Sequence, residues 1–279
     1  MSNAFVDTTV LTDALLKSGP KADAARSALT RYETTLLPVY AIKEFKAGPL
    51  RYFRWLHNKC VLSKSFAAVL TALHAIARGP QRYLTATAIE GMQLFAAQLI
   101  AVTPANLGSK YGPDANLDYV MSDRLRLSIR AQIDLAWEER REITSEIVDE
   151  LECYIEAAPY VNKRGFIELT PTKCEPVGEC VLAQKLKANP DALKKLHAAV
   201  PNSGRAEDQK RAQVLKDLYR IPKQPLTHEK CKALGDAVFA FFCPVGSVIL
   251  TTNARDHKPL AEALGKSVDT PSESPACTK

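Results

Sequence analysis

Residues 227–265, THEKCKALGDAVFAFFCPVGSVILTTNARDHKPLAEALG, decide the fold class. An apolar segment opens at Asp236 and passes a Pro-Val-Gly turn at residues 244–246. It then enters the run Ser247–Leu250, which closes in a polar turn holding Thr251, Asn253 and Asp256. So short an apolar run, bounded by turn formers, describes a buried strand, since a membrane span needs ~20 apolar residues. The stretch is a helix leading into a strand, with acids at its polar ends. In an open parallel sheet, ligands gather beyond the carboxyl ends of the strands, where the TTNARD turn falls.

Two N-terminal stretches repeat that layout. MSNAFVDTTVL, residues 1–11, is a short apolar strand ending in Asp7, and LLPVYAIKEF, residues 36–45, is an apolar run leading into Glu44. The second strand is expected over residues 36–42. Asp7, Glu44, Asp236 and Asp256 thus stand in order, each at the edge of an expected element.

Together these motifs resemble the PIN-domain nucleases, the family that includes the toxins of many bacterial toxin-antitoxin pairs. The match runs through Asp236-Ala237 at a helix start and through Thr251, Asn253 and Asp256 after a strand. Two positions depart from the family pattern. Thr9 replaces the usual Asn two residues after the first acid, and His257 replaces the usual Phe after the last. The resemblance implies an α/β fold of three α/β/α layers around a central parallel sheet. It also implies a metal-dependent endoribonuclease acting on single-stranded or structured RNA, with Asp7, Glu44, Asp236 and Asp256 catalytic and metal-binding, and with Thr9, Thr251 and Asn253 in support. The partners it implies are RNA, an antitoxin or other protein, and a second copy in a homo-oligomer.

Chemistry asks for such a cluster. Mg²⁺ and Mn²⁺ take oxygen ligands, and carboxylates gathered at strand ends repel one another unless a cation joins them. The metal generates a nucleophilic water at neutral pH and neutralises charge on the phosphate. Asp7 and Asp236 are the expected direct ligands; Glu44 and Asp256 could serve the same ion, a second ion or a metal-bound water. The plain alternative is that each acid is a helix cap or turn residue accepting backbone N–H bonds.

Composition bounds the rest. With 279 residues, 46% apolar, the chain has length for one large or two modest domains. No apolar run is long enough to cross a membrane and no leader pattern opens the chain, so a cytoplasmic location is expected. Seven irregularly spaced cysteines point to reduced thiols, and Cys174 and Cys180 lack a nearby His for zinc. The histidines show no paired metal spacing, and neither a glycine-rich phosphate loop nor a serine or cysteine nucleophile motif is present. His257 adjoins the proposed site, with a surface position as the simpler expectation.

Glu44 and Asp236 lie 192 positions apart, far more than a compact PIN domain needs. The expected organisation is therefore a discontinuous core, residues 1–48 and 161–266, a helical insertion at 49–160, and a disordered polar tail at 267–279. Helical spacing is seen over 49–78 and 84–102, followed by turn signals at Thr103-Pro104, Gly108 and Gly112-Pro113. Ile143, Ile147, Leu151 and Ile155 extend an i, i+4 stripe that predicts one long or two collinear helices over 114–157. GFIELTP, residues 165–171, is expected to be the third strand of the sheet, and helices are expected over 177–187, 191–199 and 206–219, with an extended linker at 221–225.

Charge is uneven across the insertion. Residues 50–113 carry seven basic residues against one acidic, and residues 114–160 carry five basic against twelve acidic. Complementary helix faces account for this, or the basic part tracks a phosphate backbone. Within RYFRW, residues 51–55, Arg51, Arg54 and Trp55 are candidate nucleic-acid contacts, as are Arg255 and His257; Tyr52, Phe53 and Trp55 also suit a helix core. Lys210, Arg211, Lys216 and Arg220 could line the same path or a solvated helix face. Two competing classes remain: a catalytically degenerate PIN-like scaffold that binds protein or RNA, and a helical adaptor without a sheet.

Overall fold

The computed structural model describes residues 3–78, 91–92, 95, 111–112, 116–152, 157–170, 180–221 and 225–272. Strand β1 (Asn3–Val6) leads into helix α1 (Thr8–Leu16), and α2 (Pro20–Thr30) returns the chain to β2 (Thr34–Pro38). Helices α3 (Val39–Ala47), α4 (Pro49–Ser63), α5 (Phe66–Ala77) and α6 (Leu117–Glu142) follow, then β3 (Glu146–Val148). The pair β4 (Tyr160–Val161) and β5 (Ile167–Glu168) precedes α7 (Val181–Lys187), α8 (Pro190–Ala199), α9 (Ala206–Arg220), α10 (His228–Leu234) and α11 (Asp236–Phe242). The described chain closes with β6 (Ser247–Leu250), α12 (Ala254–Ala263) and β7 (Ser267–Asp269).

Five strands form one parallel sheet in the order β3-β2-β1-β6-β7, so the chain is an α/β protein. Ala4, Phe5 and Val6 are consecutive and all buried. Successive strand residues point to opposite faces, so both faces of β1 are covered. A purely helical adaptor is excluded by this sheet. The order also reverses at β1: the chain runs outward through β2 to β3, then returns to the other side of β1 through β6. The crevice between β1 and β6 is a topological switch point, where ligands of open α/β sheets bind.

Several sequence expectations need correction. The apolar run 36–42 does not stay a strand, because Pro38 ends β2 and α3 begins at Val39 with Pro38 as its N-cap. Both elements are buried, so apolar character continues across the boundary, and only the proline marks it. The stripe from Ile143 to Leu151 is not helical. After α6 ends, Ser145 exchanges hydrogen bonds with Thr35, and Ile147 and Val148 enter the sheet beside Leu37 and Pro38. The third strand beside β1 and β2 is therefore β3. GFIELTP instead supplies β5, which pairs antiparallel with β4 outside the main sheet. A domain boundary at 160 does not hold, since β3 lies before it.

The helices of the expected insertion share the sheet's core. Leu50, Phe53 and Leu56 of α4 and Leu125, Ile129 and Ile133 of α6 belong to one buried cluster with Phe5, Leu37 and Ile249. The basic α4 does pack on α6, but through these apolar side chains, and α6 itself is close to neutral, with six acids against five arginines. Asp123 and Asp134 pair within α6 itself, with Arg126 and Arg130. The tail expectation is also corrected in part, because Ser267–Asp269 is strand β7, anchored where Arg31 and Tyr32 both donate to Asp269. Helices are found at Val181–Lys187, Pro190–Ala199 and Ala206–Arg220. Apart from residues 91, 92 and 95, which are helical, the 84–102 helix falls outside the described residues, as do the turns from 103 to 110, Ile155, Cys174, residues 222–224 and the tail beyond 272. No described helix is long and apolar enough to cross a membrane.

Candidate functional site

Asp7 stands at the switch point. Its backbone N–H continues the sheet by donating to the Leu250 carbonyl at 2.9 Å, which fixes Asp7 at the end of β1 against the end of β6. The side chain is almost wholly buried and makes no capping bond to α1, so the plain cap reading fails for it. Thr9 Oγ1 donates to Asp7 Oδ2 at 2.5 Å and Thr251 Oγ1 donates to the same oxygen at 2.7 Å. Thr9 also accepts from the Thr252 N–H, and Thr251 accepts from the Asn253 N–H. These bonds tie the TTNARD turn to the first acid. β7 contributes as well, since the Thr251 N–H donates to the Asp269 carbonyl.

Glu44 comes from α3, one turn and more past the strand, and accepts from Thr8 Oγ1 at 2.9 Å. The helix bearing it is held at both ends. Glu150, beyond β3, accepts from the Val39 and Tyr40 N–H groups at 3.0 and 2.8 Å. Lys46, fully buried, donates to the carbonyls of Ala157 and Thr170. Asp236 is the first residue of α11, where helix N-termini favour negative charge.

His257 joins the acids. Its Nε2 lies 3.2 Å from Asp236 Oδ1 and 3.5 Å from Asp7 Oδ2, and only 1% of its side chain is exposed. The expected surface position, and a nucleic-acid contact there, are therefore wrong. His257 packs edge-on against Phe239, which also meets Phe5 and Tyr40 edge-on. An aromatic floor thus underlies the acids, each such pair worth about 0.5–1.5 kcal/mol beyond its buried area. A phenylalanine at 257 could share that packing but not the charge.

Two arginines of the α9 region hold the remaining carboxylate oxygens. Arg211 donates to Asp236 Oδ2 at 2.7 Å and to the Leu234 carbonyl at 3.1 Å. Arg205 clamps Asp256 with two bonds, at 2.6 and 3.1 Å. Asp208, nearly fully buried, accepts from both arginines and from Ser203. Gly235 makes room for this contact: its φ is +46°, and a Cβ there would stand 3.1 Å from Arg211 Nη2. Arg211 is thus neither a solvated-face residue nor part of a nucleic-acid path.

The charges are felt across the cluster. Burial, then the charges of Asp7 and Asp236, push the Glu44 carboxyl up to about 7, against the Thr8 bond and the His257 charge. Burial also raises Asp236, outweighing the pull of His257 and Arg211. Asp7 is opposed by burial, yet His257, Thr9 and Thr251 hold it below its ordinary value. Burial disfavours charge on His257 too, but Asp7, Asp236 and Glu44 raise it. Asp256 is lowered chiefly by Arg205.

Asp7 and Asp236 are joined through His257, Glu44 lies near enough to feel both their charges, and Asp256 is set beside them under Arg205. Asp7, Glu44 and Asp236 are hard oxygen donors, the ligand type that Mg²⁺ or Mn²⁺ takes. Among the described residues, no three His, Cys, Asp or Glu side chains are arranged to hold a metal as they stand. Arg211 and His257 contact the Asp236 oxygens, and His257 also faces Asp7.

The basic candidates divide. Arg51 and Arg54 line a cleft of about 440 Å³ that Glu44 also lines, whereas Trp55 packs against the core and Arg255 is exposed on α12. Sequence reasoning missed Thr8, Arg205 and Asp208. Thr8, adjoining Asp7 at a helix start, carried a local signal; the other two are brought in only by the tertiary fold. No family model matches the chain, and no curated protein or solved structure matches it.

Proposed function

We propose that the chain is a metal-dependent endoribonuclease of PIN-like type. The observation that supports this best is the grouping of Asp7 and Asp236 about His257 at the sheet's switch point, with Glu44 near enough to feel both charges. Asp7, Glu44 and Asp236 would hold Mg²⁺ or Mn²⁺. The ion supplies a nucleophilic water at neutral pH and charge neutralisation at the phosphate. The chain's own groups do the positioning: Thr9 and Thr251 aim Asp7, Arg211 aims Asp236, and Asn253 with Arg205 fixes Asp256. RNA rather than DNA, a toxin-like role and an antitoxin partner rest on the sequence resemblance alone.

A second reading has its own support. Three protein cations already compensate the acids, as expected of a scaffold that has lost catalysis and needs no metal. The two are separated by incubating the protein with mixed single-stranded RNA or DNA pools, with Mn²⁺, Mg²⁺ or chelator, beside Asp236→Asn. Metal-dependent RNA cuts absent from the variant are the expected result. Cutting that persists in Asp236→Asn removes the proposed site, and no cutting of either pool favours the scaffold.

A further inference from the structure

We propose that the cleft bounded by α3, α4 and α10 is a binding site for the backbone of single-stranded RNA; this deepens the nuclease reading and rests on it. The cleft places Lys43, Arg51, Arg54 and Lys232 around one space, with Glu44 of the acid site, Glu229 and Tyr52 in its lining. Its cations come from two sides. Arg51 and Arg54 are three positions apart and so share one face of α4, and Lys232 stands on α10.

The charge balance sets this cleft apart from the acid cluster. Asp7, Asp236 and Asp256 each have a protein cation against them. Among the described residues, no carboxylate forms an ion pair with Arg51, Arg54 or Lys232. The lining holds four basic residues against two acidic, Glu44 and Glu229, and a concave wall of net positive charge attracts an anion. The volume, about 440 Å³, lies in the ~300–1,000 Å³ range of small-ligand sites and suits about one nucleotide of a single strand. Tyr52 adds a ring against which a base can stack, with Arg51 Cζ 5.5 Å from its centre. Because Glu44 belongs to both the cleft and the acid cluster, a strand lying in the cleft leads its next phosphate to the acids.

The test is fluorescence anisotropy of a labelled ten-nucleotide single-stranded RNA with the full chain in EDTA, where no cleavage occurs. Wild type, Arg51→Ala/Arg54→Ala, Lys232→Ala and Asp236→Asn are compared over a salt series, with folding of each checked by thermal melting. Expected are about tenfold weaker binding in the double variant, a smaller loss in Lys232→Ala, and retained binding in Asp236→Asn. The log–log salt slope should fall by about 1.4 in the double variant, since each phosphate contact on a single strand contributes ~0.7. Folded variants that bind as wild type does would overturn the cleft, as would a wild type that binds no RNA. Displacement of the RNA by poly-glutamate at matched charge concentration would also overturn it, in favour of an acidic protein. A parallel Mn²⁺ cleavage assay separates the two ideas: variant-sensitive binding without cutting leaves the cleft and removes the nuclease, and cutting with variant-insensitive binding does the reverse.

Discussion

Glu44→Gln should stabilise the fold at pH 8 while abolishing metal-dependent cleavage. Glu44 titrates at about 7 in the folded protein against an ordinary 4.5, because burial and the charges of Asp7 and Asp236 oppose its ionisation. Between those values the unfolded chain loses the proton first, so the folded state binds more protons and stability falls as pH rises. Below 4.5 both states are protonated and nothing is lost; above 7 both are ionised and the full cost applies. One pKa unit corresponds to about 1.4 kcal/mol, which sets a ceiling of about 3 kcal/mol. Solvent reaching the side chain from the cleft brings the expected gain to roughly 1–2 kcal/mol. The Gln carbonyl can still accept from Thr8 Oγ1, so the neutral side chain keeps its anchor. For a chain of this size the gain amounts to about 2–6 °C in Tm. Thermal melts in EDTA at pH 5 and pH 8 check it, with a gain at pH 8 and a much smaller one at pH 5. A variant that is less stable than wild type at pH 8, or equally shifted at both pH values, would refute the idea that burial and the neighbouring acids oppose the ionisation of Glu44.

His257→Phe should lower Tm in EDTA and enlarge the rise in Tm on adding Mn²⁺, because Asp7 and Asp236 then face each other without the imidazolium. His257 is raised above its ordinary 6.5, so its contribution is fully present below pH 6.5 and is lost as pH climbs through the folded value; an Mn²⁺ response equal to wild type at pH 6 counts against this role. Gly235→Ala should cost ~1–3 kcal/mol in urea unfolding, since a side chain at φ +46° is strained and its Cβ crowds Arg211. An unchanged urea midpoint would show that Arg211 and the turn adapt freely.

The strands at Asn3–Val6 and Ser247–Leu250 were legible because each is a short apolar run bounded by polar residues, and the acids at their ends follow from that geometry. β2 was overextended, because the buried helix α3 continues its apolar pattern and Pro38 alone divides them. β3 was concealed by isoleucines that happen to recur at helical spacing, and only pairing with Thr35 to Pro38 makes them a strand. The acid site was readable as four acidic residues in order, but its division of roles was not. Arg205, Arg211 and Asp208 act through a helix whose sequence reads as a charged surface, and burial of Arg211 on Asp236 depends on the Gly235 turn. His257 looked like an ordinary polar residue after a turn; its burial comes from the Phe239 ring beneath it.

The central claim is that Asp7, Glu44 and Asp236 form one divalent-cation site despite the cations already beside them. Anomalous diffraction from crystals soaked in Mn²⁺ tests it most directly. The account predicts a peak within coordinating distance of oxygens from all three carboxylates, with Arg211 or His257 displaced from the oxygens they now hold, and no peak in Asp236→Asn. A fully soaked crystal with no peak at these residues, or with Arg211 and His257 unmoved and the manganese bound elsewhere, would contradict it.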